Sequence, residues 1–136
     1  MKIRRAKKIL GALVLGAVIV SISGIVNAAG SWYNYSANVP VVNDYESYPR
    51  TKVSFDGYGR VNVDNINGSL VAWIESSSTG SNVTTKVSYS SRVGFQLKYG
   101  NPTYYKDKLV KLNISTGSYQ FTSVSTSGTW SPDMAN

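Results

Sequence analysis

The sequence lacks two residue types on which many secreted proteins and enzymes depend, because none of its 136 residues is cysteine or histidine. Without cysteine there are no disulfides, so strand pairing and apolar burial must hold the fold together. Ser–His–Asp and Cys–His catalysis are excluded, together with nearly all zinc, copper and haem sites. We therefore expect a protein that is not an enzyme and that binds no cofactor and no metal.

Acidic side chains are also scarce, with seven Asp and Glu residues in total. Asp44 and Glu46 could in principle serve a glycosidase, since on a strand they would share a face about 6–7 Å apart. Their turn-like surroundings favour solvated residues instead. The oxygen-rich segment 64–69 has Ile66 where a calcium loop needs Asp or Asn. It is predicted to be a β-turn with Asn-Gly at its tip.

The first 28 residues have the three-part pattern of a secretory signal peptide. Five cationic and no acidic residues occupy positions 1–8, and an apolar run with interspersed small residues covers positions 9–26. Small residues then lead to a predicted cut between Ala28 and Ala29. The alternative is an uncleaved membrane anchor, but a spanning helix needs about 20 apolar residues and this run is rich in Gly and Ser.

Removing residues 1–28 would leave one domain at 29–136, which has 108 residues, nine cations and seven acids. A net charge of +2 predicts no nucleic-acid partner. The densest cationic cluster, Lys106, Lys108 and Lys111, is interrupted by Asp107. We expect a protein that is secreted or held at the cell surface, without a membrane span in its mature form. Export without disulfides favours a bacterial source.

Alternating apolar and polar residues from position 29 onward predict an all-β domain of about eight short strands, an antiparallel sandwich or small barrel. No useful length of helical periodicity is present. Segments 53–55 and 61–63 flank Asp-Gly-Tyr-Gly and predict a hairpin. The nearly continuous apolar run 70–74 predicts a central strand, followed by a polar turn at 76–82.

Further strands are predicted at both ends of the domain and in its second half. Segments 32–36 and 38–42 are predicted as two short strands, with Pro40 placing the second at a sheet edge. Later strands are predicted at 83–89, 93–99 and 109–114 and around 119–126, with residues 127–136 fraying or folding back.

The predicted core takes one face from each strand. Trp73 lies on the face opposite Leu70, Ala72 and Ile74, so that strand is either covered on both sides or leaves Trp73 exposed. The other predicted core residues are Val53, Phe55, Val61, Val63, Val83, Val87, Val93, Phe95, Leu97, Val110, Leu112, Ile114 and Phe121.

The abundant aromatic residues are the one positive indication of function. Ten Tyr and three Trp stand in a chain rich in Ser, Gly and Asn, a combination that antibody paratopes also use. We predict a non-catalytic binding module whose exposed aromatic rings contact an extracellular glycan or protein surface. The candidate binding residues are Tyr45, Tyr48, Tyr58, Tyr104 and Tyr105.

Two alternatives remain open on the sequence alone. A secreted antimicrobial or membrane-active effector, like a bacteriocin, would account for the small size, mild positive charge and interfacial aromatic residues. A structural cell-surface or matrix protein would join copies through exposed strand edges. The sequence leaves the oligomeric state open.

Overall fold

The computed structural model describes residues 30–117 and 121–135. The predicted signal peptide at 1–28 and its cut between Ala28 and Ala29 lie outside the described residues, as does Tyr119 of the last predicted strand. Among the residues described, no helix is long and apolar enough to cross a membrane.

The regular structure of the described residues is antiparallel β-structure apart from one helical turn, as the alternation predicts. One helical turn, α1 (Pro102–Tyr105), interrupts the strands. The strands are β1 (Tyr33–Val39), β2 (Tyr45–Glu46), β3 (Arg50–Thr51), β4 (Tyr58–Ile66), β5 (Leu70–Ser76), β6 (Val87–Tyr89), β7 (Gly94–Lys98), β8 (Leu109–Thr116) and β9 (Val124–Ser131).

These strands form two separate sheets. The first has the order β1-β9-β4-β7, and the second has the order β2-β8-β5-β6 with β3 also paired to β8. Apolar side chains from both sheets belong to one hydrophobic cluster. Its buried members are Tyr35, Val39, Val61, Val63, Leu70, Ala72, Ile74, Val83, Tyr89, Leu97, Tyr99, Val110, Leu112, Ile114, Val124 and Trp130.

Strand β5 is the central strand that the apolar run predicts. It pairs along its whole length with β8, from Leu70 opposite Thr116 to Ser76 opposite Val110. Trp73 is buried outside the main cluster. Its indole N–H donates to Glu75 at 2.8 Å, and the Lys86 ammonium lies 4.2 Å from the ring centroid. The second face of β5 is therefore covered by a charged side chain rather than by another apolar layer.

The predicted hairpin around Asp56–Gly59 is wrong. β4 pairs with β7 on one side and β9 on the other, and residues 52–57 form no strand. Val53 and Phe55 are exposed and do not belong to the core. The alternation at 53–55 is only three residues long. The other predicted arm of the hairpin, 61–63, pairs instead with β9, which is distant in the sequence.

The two predicted N-terminal strands are one strand, β1, which ends at Val39 immediately before Pro40. Near the other end, the region expected to fray or fold back contains most of β9, the strand between β1 and β4. Its Val124 and Trp130 are core residues, while Phe121 is 90 % exposed and Val93 is 40 % exposed, against prediction. Strand β9 is polar in composition, yet alternate residues of it are buried and both of its edges are paired.

The chain after β9 is packed against the segment between β3 and β4. Pro132, Asp133 and Ala135 are buried, as is Ser131 at the end of β9, although Ser131 and Asp133 are polar. The Met134 N–H donates to Asp56 at 3.0 Å. This tail is therefore an integral part of the described fold.

Candidate binding surfaces

An open cleft of about 640 Å³ lies beside the short strand β2. Strand β2 pairs with the edge of β8, with Tyr45 opposite Ile114 and Glu46 opposite Asn113. Hydroxyl, carboxylate, ammonium and aromatic groups face the cleft together. Its principal lining residues are Tyr45, Glu46, Tyr48, Pro49, Ser77 and Lys111.

Ser47 determines how the two cleft tyrosines are presented. Its backbone N–H donates to the Leu112 carbonyl at 2.9 Å, and its hydroxyl accepts from the Leu112 N–H at 2.9 Å. Ser47 is buried by these contacts, while Tyr48, the next residue, is 82 % exposed and lines the cleft. Tyr45 instead packs partly against the core. The Tyr45 ring is thus fixed by packing, and the Tyr48 ring is accessible to a ligand.

An ion pair forms the polar side of the cleft. The Lys111 ammonium lies 2.6 Å from a Glu46 carboxylate oxygen, and the Asn113 amide approaches the other oxygen at 3.5 Å. The hydrogen bond from Lys111 lowers the pKa of Glu46 below its ordinary value, so the carboxylate is ionised at neutral pH. The pair offers one acceptor and one donor group beside an exposed ring.

A second surface surrounds the helical turn α1. The turn begins after Asn101, whose side chain accepts from the Tyr104 N–H at 3.2 Å, and Pro102 at its start has the backbone angle that a helix requires. Tyr104 and Tyr105 meet edge to face at 4.9 Å between centroids. Tyr104 is 58 % exposed, whereas Tyr105 packs partly against the core.

Cations lie over the exposed rings of this second surface. Lys108 is 4.7 Å from the Tyr104 ring centroid, and Lys106 is 5.2 Å from that of Phe55. We call Phe55, Tyr104, Lys106 and Lys108 the aromatic–cationic patch. Hydrogen bonds between the Lys52 backbone and residues 107 and 108 hold the two segments together.

The five tyrosines predicted from the sequence fall in three places. Tyr45 and Tyr48 line the cleft, and Tyr104 and Tyr105 contact each other on α1. Tyr58 begins β4 opposite Lys98, is only 36 % exposed, and does not line the cleft. Whether any of them binds a ligand stays a prediction.

Sequence reasoning overlooked several residues of these surfaces. The sequence predicts Phe55 in the core and Lys106, Lys108 and Lys111 as one cluster. The structure instead places Lys111 in the cleft and the other two over aromatic rings. The interleaving of Lys and Tyr at 104–108 is the signal that could have indicated the patch.

The carboxylate side chains of the described residues and the comparisons with known proteins point to no metal site and to no family. Within residues 30–117 and 121–135, no cluster of three or more Asp or Glu side chains is arranged to hold a metal ion. No protein-family model, curated protein or solved structure matches the chain. The candidate function must therefore be argued from the surfaces themselves.

Proposed function

We propose that the chain is an exported, non-catalytic β-sandwich, released by cleavage after Ala28, which binds an extracellular glycan through the Tyr45–Tyr48 cleft. The exposure of Tyr48 carries this proposal, because an aromatic side chain that is 82 % exposed buries little on folding and is available to a ligand. A partner protein is the alternative occupant of the same cleft.

The composition of the cleft supports a sugar ligand. A pyranose ring presents apolar C–H groups on one face and hydroxyl groups around its rim. Tyr48 offers a flat apolar surface for the face, while Glu46, Lys111 and Ser77 offer acceptors and donors for the rim. The Glu46–Lys111 pair is partly exposed, so a ligand can exchange hydrogen bonds with it at little desolvation cost.

The test is retention of the purified exported protein on isolated cell walls and on a glycan array, for the wild type and for Tyr48→Ala. Losing an aromatic contact of about 0.5–1.5 kcal/mol should weaken binding up to about tenfold. Phe121→Ala is the matched control, because Phe121 is an equally exposed ring outside the cleft. It should bind as the wild type does.

Three results distinguish a glycan ligand, a protein partner and a wrongly assigned cleft. Retention that survives protease treatment of the surface but is lost on enzymatic removal of its sugars supports a glycan ligand. Retention with the opposite sensitivity identifies a protein partner and contradicts the glycan assignment. Binding by Tyr48→Ala that equals the wild type on every surface contradicts the assignment of the cleft.

The aromatic–cationic patch favours a second candidate, a membrane-active effector. Exposed Phe55 and Tyr104 lie beside Lys106 and Lys108, and Asp107 pairs with Lys106 at 2.9 Å, which leaves one unit of positive charge. Aromatic rings beside positive charge are suited to an anionic bilayer interface. This candidate predicts dye leakage from anionic vesicles that is lost in Phe55→Ala. No leakage, together with no growth inhibition of related bacteria, would remove it.

A further inference from the structure

Lys52 and Asp133 face each other in a fully closed site, although 81 positions separate them in the sequence. Both side chains are 0 % exposed, and the Lys52 ammonium nitrogen lies 3.2 Å from Asp133 Oδ1. Gly30 closes the site from outside so tightly that a β-carbon there would lie 2.8 Å from Asp133 Oδ2. Water therefore has little access to either group.

Backbone and hydroxyl donors hold the carboxyl group of Asp133 in one orientation. Oδ1 accepts from the Ser54 N–H at 3.1 Å and from the Ser54 hydroxyl at 2.6 Å, while Oδ2 accepts from the Val53 N–H at 3.0 Å. These donors come from the residues immediately after Lys52. The amine and the carboxyl group are therefore positioned by the same short segment.

Contacts also fix the position of the Lys52 amine. Lys52 Nζ donates to the Ser54 carbonyl at 2.7 Å and lies 4.7 Å from the centroid of the Tyr99 ring. Burying two opposite charges is costly, and a covalent bond between the two groups removes both charges.

We propose that Lys52 and Asp133 become joined by an amide bond between Nζ and the side-chain carboxyl carbon. One proton passes from Nζ to Oδ1, the resulting amine attacks that carbon, and the Val53 N–H stabilises negative charge developing on Oδ2. Oδ1 leaves as water, carrying two protons that began on Nζ, and the Ser54 hydroxyl hydrogen-bonds to the departing oxygen. The ammonium and carboxylate are thus converted into one amide and one water molecule, with no other reactant.

Proximity is what makes this condensation accessible. Two groups that are held in contact and in a defined orientation react as though each were present at a very high concentration. A dry site also favours loss of water over hydrolysis of the product. The bond would tie the segment before β4 to the tail after β9 and would supply a covalent link in a chain that has no cysteine.

The test is the intact mass of the folded, purified protein measured after denaturation. The expected mass is that of its own sequence minus one water molecule. Trypsin should then release a branched peptide in which residues 51–60 are joined to residues 112–136, because a linked Lys52 is no longer cleaved. An intact mass equal to that of the same polypeptide without loss of water would overturn the proposal.

Two controls make the mass change specific. Cyclisation of Asp56 onto Gly57 also releases water, so a loss mapped to the unbranched peptide 53–60 would contradict the proposal. The Lys111–Glu46 pair is close but partly exposed, and it should remain unlinked in the same digest. Lys52→Arg should have the full mass of its sequence; a missing water there would refute the assignment. If that variant does not fold, the wild-type peptide map decides alone.

Discussion

The Tyr99 hydroxyl donates a hydrogen bond to the Pro132 carbonyl oxygen at 2.7 Å. Tyr99 directly follows β7, while Pro132 directly follows β9, so this bond connects the ends of the two strands that flank β4. The Tyr99 side chain is 3 % exposed, and burial raises the pKa of its phenol above the ordinary tyrosine value. The bond is therefore protected from competition with water.

We predict that Tyr99→Phe destabilises the fold. The substitution keeps the ring but leaves the Pro132 carbonyl without its partner, and a buried unsatisfied acceptor costs about 1–3 kcal/mol. Urea denaturation should show a lower midpoint with an unchanged slope. Tyr48→Phe is the control, because its exposed hydroxyl should contribute less than about 0.5 kcal/mol. Equal midpoints for both variants would contradict this.

A second prediction concerns high pH. Burial is the largest cause of the raised pKa values of Tyr35, Tyr89 and Tyr99, whose ordinary value is 10.0. A phenol that holds its proton more tightly when folded stabilises the fold fully below its unfolded pKa, and that stabilisation is lost as pH rises towards the folded pKa.

Alkaline titration followed by tyrosinate absorbance tests this. These three phenols should stay protonated beyond the ordinary tyrosine range and then ionise in one step with loss of β-structure, measured by circular dichroism on the same sample. Complete ionisation of all tyrosines while the β-signal is intact would contradict the burial of these rings.

A third prediction concerns the contact between β4 and β9. Gly128 in β9 stands opposite Val63, and a β-carbon there would collide with the backbone carbonyl of Asn62. Gly128→Ala should destabilise the fold by about 1–3 kcal/mol or more, because backbone must move. Gly57→Ala is the matched control, since nothing lies within 4 Å of its added methyl group. Thermal unfolding of the two variants should differ clearly.

The Glu46–Lys111 pair provides the fourth prediction. A lowered carboxyl pKa means that the pair stabilises the fold above the ordinary glutamate value, and that this contribution is lost as pH falls through the folded pKa. In Lys111→Met, the Glu46 pKa measured by NMR should rise towards its ordinary value. Stability should change little, because the pair is partly exposed and screened by salt. An unchanged Glu46 pKa would contradict the ion pair.

The strands that sequence reasoning located best are those at the centre of the second sheet. The run at 70–74 is continuously apolar, and segment 109–114 places Val110, Leu112 and Ile114 on one face. These segments correspond to β5 and β8, which pair with each other over seven residues. Their burial follows from their own composition, because such segments are stable only when removed from water.

The sequence located the candidate binding surfaces less well. It names Tyr48 as a candidate binding residue, but the exposure of Tyr48 depends on Ser47, which is buried by bonds to Leu112 in a strand far along the chain. Phe55 is as apolar as a core residue. It is nevertheless exposed, because the preceding backbone N–H groups, those of Val53 and Ser54, donate hydrogen bonds to Asp133.

What the sequence by itself determined is the chemistry available to the protein and its class of fold. The absence of cysteine and histidine removed whole groups of mechanisms, and a two-residue period requires strands. Only the tertiary structure decided which strands are neighbours, which aromatic rings remain exposed, and that Lys52 meets Asp133. Those outcomes depend on contacts between distant segments, whose energies are set by the burial of the whole chain and leave no local pattern.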